Sequence, residues 1–504
     1  MKRMLALVFA AAVVLYVPTV GYGFVQDDRA MIVANPAARD VGAALRAFDE
    51  PYWSGSYYRP ATVLSFAVDW TLSGGRAGWM HLVNALWHGL VSVLVVLVLA
   101  RWLPPAGAVA AGLVFVVHPV HVEGVANLVS RNELLAAAGM LAAVLAARRR
   151  WWVGAVACAL LAMLSKELGV VTGVVLLLDD WLRPSGEDPY PPMFYATLAA
   201  VTVGFLAAWL RIGYSALTDV AAPFIGATPG RRLAMAFPAV LRGAELLVWP
   251  VSLSVDYNPQ VIPYRTGFSA AAGLGAVVAL GIAALGVGAR RRAPAVSFSA
   301  LLAALAYLPT SNLLFASGIV LAERNLYLPV LLPAAIFGAG VAWALQRRER
   351  SRVLLAAAVL LAALAARSLV RLPAWADNRS FLLTLLSEHP ESYRGQQSAA
   401  AVLAGMGKPT EARAVYARAD SLFGGDPHLK AGYAFLLIGQ GDTAGAAPLA
   451  RAARRIMSRE RVALRVEYLL AGARGERARA AALADTALRW FPLEREWYAG
   501  AGRP

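Results

Sequence analysis

The sequence predicts an all-α, polytopic membrane protein that carries a helical repeat domain at its C-terminal end. The membrane part is predicted by composition, because 59% of the 504 residues are hydrophobic and only 15% are charged, whereas soluble domains carry about 25% charged residues. The repeat domain is predicted by a 34-residue spacing of small residues near the end of the chain. We place the boundary between residues 1–372 and 373–504.

The net charge of +16 is carried by short arginine clusters that lie between apolar segments. Such clusters typically occupy the cytoplasmic loops of membrane proteins, so the charge does not indicate a nucleic-acid-binding protein. The single cysteine, Cys158, excludes a disulfide framework and a cysteine-based metal site.

Apolar length and arginine position together predict eleven membrane-spanning segments. They are residues 1–22, 82–102, 105–119, 132–147, 151–165, 168–182, 193–211, 267–289, 296–315, 325–345 and 353–371. With the N-terminus inside, the arginine clusters all fall inside, and the long loop 24–80 lies outside. The alternative is that residues 1–22 form a cleaved signal peptide, and in that case loop 24–80 also lies outside.

Residues 233–253 are also apolar enough to cross a membrane. A crossing there would move the arginine clusters at Arg290 and Arg347 to the outside. We therefore predict that this segment does not cross or is re-entrant, and that the C-terminal domain lies outside with loop 24–80.

Small residues recur at fixed spacing in the C-terminal domain. Each of three glycines is followed by alanines five and twelve residues later: Gly407 by Ala412 and Ala419, Gly441 by Ala446 and Ala453, and Gly475 by Ala480 and Ala487. The 34-residue period is that of the tetratricopeptide repeat, whose glycine serves a turn and whose small residues allow close helix packing. A generic alanine-rich bundle is the alternative. Such arrays present concave surfaces to extended polypeptides.

Two adjacent carboxylates, Asp27 and Asp28, follow the first apolar segment and precede Arg29. When two acids lie next to each other, the charge of one raises the pKa of the other, so one holds its proton while the other stays ionised. The ionised acid is suited to act as a general base toward a hydroxyl. We prefer Asp28 because it adjoins Arg29 and would more readily stay ionised. A solvated loop with a surface ion pair or a helix N-cap is the alternative.

Polar residues in apolar surroundings mark further candidates, since their burial is costly. His118, His121 and Glu123 offer three nitrogen and oxygen donors, but no second histidine-rich element completes a zinc pattern. Hydrogen bonding to a polar substrate is favoured over a metal, and a structural role is the alternative. Lys166 beside Glu167 and Arg324 beside Glu323 are suited to bind a phosphate, or to form ion pairs at the membrane edge.

Several short motifs, taken in their order, resemble those of the transmembrane-and-TPR O-mannosyltransferases of the GT-C glycosyltransferase superfamily. The resemblance covers nearly the whole chain and rests on Asp27-Asp28-Arg29, Tyr58-Arg59-Pro60, His81-Leu82-Val83-Asn84 with His88, His118-Pro119-x-His121-x-Glu123 through Glu133, Leu164-Ser165-Lys166-Glu167, Ser311-Asn312-Leu313-Leu314, Leu321-Ala322-Glu323-Arg324 and the repeat array.

The resemblance implies a GT-C helical bundle that moves a sugar, mannose by preference, from a polyprenyl-phosphate donor to Ser or Thr hydroxyls of a protein on the outer face. The expected base is Asp28 or Asp27. The expected substrate-binding residues are Arg29, Arg59, His81, His118, His121, Glu123, Arg131, Glu133, Lys166, Glu167, Glu323 and Arg324. No metal ligand is assigned, and a divalent cation is not favoured.

The expected partners are the lipid-linked donor, membrane lipids and an acceptor protein held by the repeats. A chain this rich in Ala and Arg is typical of bacteria, which implies the inner membrane, a periplasmic site and undecaprenyl phosphate as carrier. Two alternatives stay open. One is a GT-C enzyme with a lipid or glycan acceptor, and the other is a non-catalytic membrane scaffold whose repeats recruit partners.

Overall fold

The helices of the computed structural model follow the apolar segments of the sequence. The structure describes residues 1–51, 57–212, 220–262, 267–491 and 494–500, and these contain helices but no strand. The α-helices up to residue 371 are α1 Lys2–Tyr16, α2 Val41–Arg46, α3 Pro60–Ser73, α4 Ala77–Leu99, α5 Pro105–Val117, α6 His121–Ala126, α7 Arg131–Arg148, α8 Trp152–Ser165, α9 Thr172–Trp181, α10 Pro192–Ile212, α11 Pro229–Val248, α12 Ala270–Gly288, α13 Pro294–Tyr307, α14 Leu331–Ala344 and α15 Arg350–Arg371.

Six helical segments of the described chain are long and apolar enough to cross a membrane. They are Lys2–Gly21, Ala77–Leu99, Leu128–Arg148, Pro192–Ile212, Ala270–Arg291 and Arg350–Trp375. Shorter apolar helices lie at Pro105–Val117, Trp152–Ser165, Pro294–Thr310 and Leu328–Ala344. These ten coincide with predicted spans, and the eleventh, 168–182, contains the short helix α9. The chain is an all-α membrane protein, as predicted.

Several helices end earlier than the apolar composition suggests. The span predicted at 105–119 stops at Val117 because Pro119 disfavours a helical conformation at His118, which is extended.

Helices α5 and α14 cross where Gly107 faces Gly338, and a Cβ on Gly107 would lie 2.7 Å from the Gly338 carbonyl oxygen. Small residues permit such close approach between apolar helices.

Helix α11 covers residues 233–248 of the segment 233–253 predicted not to cross, and it is not among the candidate spans. Near its start, Arg232 donates to the Leu313 carbonyl (3.1 Å). Near its end, the Leu247 carbonyl lies 3.2 Å from Nε2 of His118. Residues 121–126 contact residues 323–326 at one end of the bundle. We call this end, together with the whole loop 308–328 between α13 and α14, the site end. Both ends of α11 therefore lie at the site end.

This placement gives a topological expectation. A reporter fused after Gly226, just before α11, should appear on the same side of the membrane as one fused after Gln260, because a segment whose two ends share one side does not move the chain across the membrane. Accessibility of the reporters in intact cells measures this. Reporters on opposite sides would contradict the eleven-span arrangement.

The C-terminal region consists of helices stacked in sequence. They are α16 Asn378–Glu388, α17 Tyr393–Gly405, α18 Pro409–Leu422, α19 Pro427–Gly439, α20 Thr443–Ile456, α21 Arg461–Ala473, α22 Arg477–Trp490 and α23 Arg495–Gly500. Helices α17 to α22 form three pairs with the 34-residue register. The six alanines of the repeat pattern are fully buried. This agrees with tightly packed helix pairs of the tetratricopeptide type.

The three repeat glycines each follow the first helix of a pair. Gly407, Gly441 and Gly475 have φ angles of 72°, 78° and 71°, a left-handed conformation that is costly for residues with a Cβ. The turn between the paired helices therefore requires glycine, as the sequence pattern indicates.

We expect Gly441→Ala to lower the free energy of unfolding by about 1 kcal/mol, because alanine is strained at this φ although the site has open space. Gly439, the last residue of helix α19 and also in open space, is the matched control, and Gly439→Ala should be neutral or stabilising. Thermal unfolding of the two purified variants measures the difference. Equal effects would show that the turn does not need glycine.

The repeat region is anchored at the site end of the bundle. The Gly23 amide donates to the Ala376 carbonyl (2.9 Å), and the Gln26 amide donates to Oδ1 of Asn378 (2.7 Å). Loop 22–29, which we call the acid loop, is thus bonded directly to the start of the C-terminal region.

Candidate functional site

The two aspartates of the acid loop occupy different environments. Asp28 is fully buried, and its carboxylate accepts the amides of Val25 and Val129, both at 2.9 Å. Asp27 is exposed. A buried carboxylate whose two oxygens each accept a backbone amide fixes the shape of its loop. Asp28 therefore ties the acid loop to the segment before α7 and leaves Asp27 facing outward.

Burial raises the pKa of Asp28 to about 7, although the amides of Val25 and Val129 partly counter this effect. The charge of neighbouring Asp27 raises the pKa further. The sequence prediction that Asp28 more readily stays ionised is thus not supported by its surroundings, since desolvation outweighs the effect expected from Arg29.

Three ion pairs lie beside the acid loop, and we call them the cation cluster. The Arg59 guanidinium donates to both carboxylate oxygens of Glu167, at 2.8 to 3.2 Å. The remaining pairs are Lys166 with Glu133 and Arg324 with Glu123. All six residues are predicted site residues, and they come from five separate stretches of the chain.

The three cations are close enough to affect one another. Burial lowers the pKa of Lys166, and although Glu133 counters this, the positive charges of Arg59 and Arg324 add to it. Burial would also lower the pKa of Arg324, but the carboxylates around it, Asp27 among them, leave it raised. The charge of Asp27 therefore reaches Arg324, one of the three cations of the cluster.

Arg324 is held by its main chain and its side chain. Its amide donates to Glu123 at 2.9 Å, and its side chain, which pairs with the same carboxylate, remains 29% exposed. Tyr327, three residues further along the chain, is held by a hydrogen bond to His88, since its hydroxyl lies 2.8 Å from Nδ1 of that histidine. Arg324 is thus the most exposed cation of the cluster.

Arg131 lies inside the protein instead of at a substrate surface. It is fully buried and donates to Asp69 at 2.5 Å, to Asn84 at 2.7 Å and to the Met80 carbonyl at 3.0 Å. Its guanidinium also lies 4.3 Å from the centre of the Phe66 ring. With these partners, Arg131 joins helices α3, α4 and α7 beneath the acid loop.

The predicted histidines are also buried and directed to different main-chain groups. Nε2 of His118 faces the Leu247 carbonyl, while the two nitrogens of His121 lie 2.6 Å and 3.0 Å from the carbonyls of Phe115 and Tyr327. Among the described residues, no three His, Cys, Asp or Glu side chains form a group suited to a metal ion. Both histidines thus fit the structural alternative, because their ring nitrogens face main-chain carbonyls of the protein itself.

Two more predicted residues lie around the acid loop. His81 is buried, with Nε2 at 3.2 Å from the Gly23 carbonyl and its ring edge-on to Tyr22. Arg29 is exposed. His81 therefore supports the start of the loop, whereas Arg29 stands on its outer surface.

Glu323 is fully buried next to Arg324 and binds the segment after α11. Its Oε1 accepts the amide of Ser254 (2.8 Å) and the hydroxyl of Tyr257 (2.9 Å), and Arg371 lies 3.7 Å away. Burial raises the pKa of Glu323 to about 7, with Arg371 opposing the rise.

The raised pKa of Glu323 predicts a pH-dependent effect on stability. Between pH 4.5 and 7 the folded protein retains a proton that the unfolded chain releases, so this group stabilises the fold less as the pH rises. Glu323→Gln removes the cost of burying the charge and should raise Tm by a few degrees more at pH 8 than at pH 5.5. The exposed Glu391 is the control, and Glu391→Gln should show no such difference. A pH-independent effect of Glu323→Gln would contradict the raised pKa.

Sequence reasoning missed residues that complete the site end. Asp69 partners Arg131, and its signal was a lone acid in an apolar segment. Arg371 lies within ion-pair distance of both Glu323 and Glu388, and Arg394 pairs with Asp256 at 3.4 Å. These pairs join residues far apart in sequence, and only the folded chain brings them together.

Comparison with known proteins finds protein O-mannosyl-transferases among the relatives of this chain. A protein O-mannosyl-transferase of Caenorhabditis elegans is 30% identical over 359 residues, 66% of this chain and 51% of the relative. Tmtc1 of Drosophila melanogaster is 27% identical over 80% of this chain and 59% of the relative. Human TMTC4 is 29% identical over 81% of this chain and 64% of the relative.

No protein-family model and no solved structure matches the chain. The chain spans about half the length of the first curated relatives that it matches. The resemblance inferred from the motifs is confirmed: the chain is a relative of the TMTC-type protein O-mannosyl-transferases.

Proposed function

We propose that this protein transfers mannose from a polyprenyl-phosphate donor to Ser or Thr hydroxyls of an acceptor protein, with inversion at the sugar carbon. The names of its relatives support the reaction class. The single observation that carries the proposal is the exposed carboxylate of Asp27, whose charge acts on Arg324, the most exposed cation of the cluster. This supports a base and a phosphate-binding cation within one site.

Asp27 is better suited than Asp28 to be the base. A general base must reach the proton that it removes, and Asp28 is buried with both oxygens accepting backbone amides. Asp27 is exposed at the same loop. In the proposed reaction Asp27 takes the hydroxyl proton while the acceptor oxygen forms a bond to the anomeric carbon.

The bond from the anomeric carbon to the phosphate oxygen breaks in the same step, and polyprenyl phosphate leaves with the bonding electrons. Negative charge then grows on the phosphate, where a fixed cation stabilises it. Arg324 is 29% exposed, while the Arg59 and Lys166 side chains are 14% and 8% exposed. Arg324 is therefore the proposed phosphate ligand, and the other two cations reinforce the local positive field.

The reaction would take place on the outer face, with the acceptor protein held by the repeat region. Anchoring of that region at the site end, through Ala376 and Asn378, supports this arrangement. A bacterial inner membrane, a periplasmic site and undecaprenyl phosphate as the carrier complete the proposal.

Transfer by the purified full-length protein tests the proposal. Polyprenyl-phosphate mannose, glucose and galactose are offered with Ser/Thr peptides, with a lipid or glycan acceptor in parallel reactions and chelator in half of them. Mannose on the peptide, released by mild base, is the expected product. Transfer only to lipid or glycan would establish the alternative acceptor, and no transfer under any condition would favour the non-catalytic scaffold.

A further inference from the structure

A polar cavity of about 250 Å³ lies between the bundle and the repeat region. One wall is formed by Asp256, Asn258 and residues 318–321, which belong to two loops of the site end. The other wall is formed by helix α17 and the start of helix α19. The two parts of the chain therefore build this space together, and neither contains it alone.

Fixed contacts define the shape of the cavity. Asn258 Nδ2 donates to Ser392 Oγ at 2.6 Å, and Arg394 pairs with Asp256 at 3.4 Å, so both bonds connect one wall with the other. Tyr393 donates its hydroxyl to Asp426 at 2.8 Å. A cavity whose walls are cross-linked in this way is largely formed before any ligand arrives.

The cavity adjoins the proposed catalytic residues. Its wall at residues 318–321 runs directly into Glu323 and Arg324. The charge of Asp256, and to a smaller extent that of Asp27, raises the pKa of Arg394. The charge of Asp27 thus acts on both Arg324, on the donor side, and Arg394, in the cavity wall.

Size and charge indicate what the cavity accepts. Pockets for whole small molecules measure roughly 300 to 1,000 Å³, so this space is suited to a segment of a longer chain. Its wall carries the carboxylates of Asp256 and Asp426 and the guanidinium of Arg394, while His428 of the same wall pairs with Glu460. The carboxylates of the wall therefore outnumber its guanidinium by one, and the charge of Asp27 also reaches Arg394. An excess of negative charge favours a basic segment over an acidic one.

We propose that this cavity is the binding site for the acceptor polypeptide, and that it selects Ser or Thr residues flanked by lysine or arginine. The proposal rests on the proposed function for its biological meaning. It adds the place where the acceptor binds and the class of sequence that binds there.

The test uses the full-length protein with Cys158, its single cysteine, replaced by alanine. Gln397, a half-buried residue of the cavity wall, is changed to cysteine and coupled to a bulky maleimide. The control is Ser458→Cys with the same label, because Ser458 is exposed in the loop between α20 and α21. The probes are dye-labelled twelve-residue peptides with one central threonine and either lysine or glutamate flanks.

Fluorescence anisotropy should show that the lysine peptide binds about tenfold more tightly than the glutamate peptide at low salt. Labelled Gln397→Cys should lose about tenfold in affinity for the lysine peptide, while labelled Ser458→Cys should not. Asp256→Asn, which keeps the shape of the side chain, should bring the affinities for the two peptides closer together.

Binding and transfer separate the two proposals. Binding that the Gln397 label blocks, without sugar transfer, would support the acceptor site and contradict the proposed function. Transfer that the label leaves unchanged would overturn the acceptor site and keep the function. Equal affinity for both peptides, or no binding of either, would also overturn the site.

Discussion

Replacement of Asp27 by asparagine should lower turnover by about 10²- to 10⁴-fold, the range that general-base catalysis supplies. The amide keeps the size of the side chain but cannot take the acceptor proton. Because Asp27 is exposed, Tm should hardly change, and binding of the lipid donor should persist. Single-turnover transfer with saturating donor, together with Tm, measures both effects.

Asp28→Asn is the matched comparison, since it makes the same chemical change one residue later. An amide nitrogen cannot accept a backbone amide, so one of the two 2.9 Å hydrogen bonds is lost, at a cost of about 1–3 kcal/mol. We expect a lower Tm and a smaller loss of turnover than for Asp27→Asn. Near wild-type turnover of Asp27→Asn would rule out Asp27 as the base, and a larger loss for Asp28→Asn would restore the choice made from the sequence.

Asp69→Ala should be the most destabilising single substitution at the site end. It leaves the fully buried guanidinium of Arg131 without its 2.5 Å partner, and breaking a buried ion pair from one side costs about 3–5 kcal/mol. The loss should appear as a sharp decrease in Tm and in the yield of folded protein. Asp49, an exposed acid, provides the control, and Asp49→Ala should be nearly neutral.

A double variant distinguishes stability from a role in substrate binding. Asp69→Leu combined with Arg131→Met removes both charges and should recover much of the Tm that Asp69→Ala loses. Activity should return with stability if Arg131 only supports the acid loop. A folded double variant without donor binding would show that Arg131 contacts the substrate, as the sequence predicted.

The sequence was sufficient to predict the fold class and the repeats, because apolar length and a fixed period are properties of local sequence. It was less informative about helix ends, such as α5, where Pro119 decides the outcome. Six of the charged residues that the sequence singled out form three ion pairs with one another, since buried charges in apolar surroundings require partners. Which charge pairs with which, as for Arg59 with Glu167, depends on long-range packing.

The roles of the two adjacent aspartates could not be assigned from the sequence. Neighbouring residues share a sequence context, but the backbone turns between them, so Asp28 enters the protein and Asp27 faces out. The preference for Asp28 considered only the nearby charge of Arg29 and omitted desolvation, which is the larger effect. Burial of a single side chain is a property of the folded chain.

The hydrogen bonds between the acid loop and the C-terminal region have a consequence for biosynthesis. The amides of Gly23 and Gln26 are bonded to Ala376 and Asn378, which the ribosome adds some 350 residues later. Until these residues have been synthesised, the acid loop lacks both hydrogen bonds. Asp27 is then not held in place, even though the first membrane helices are already inserted. On the proposed mechanism, catalytic competence would therefore arise late in synthesis, after the membrane helices have been inserted and as the repeats emerge.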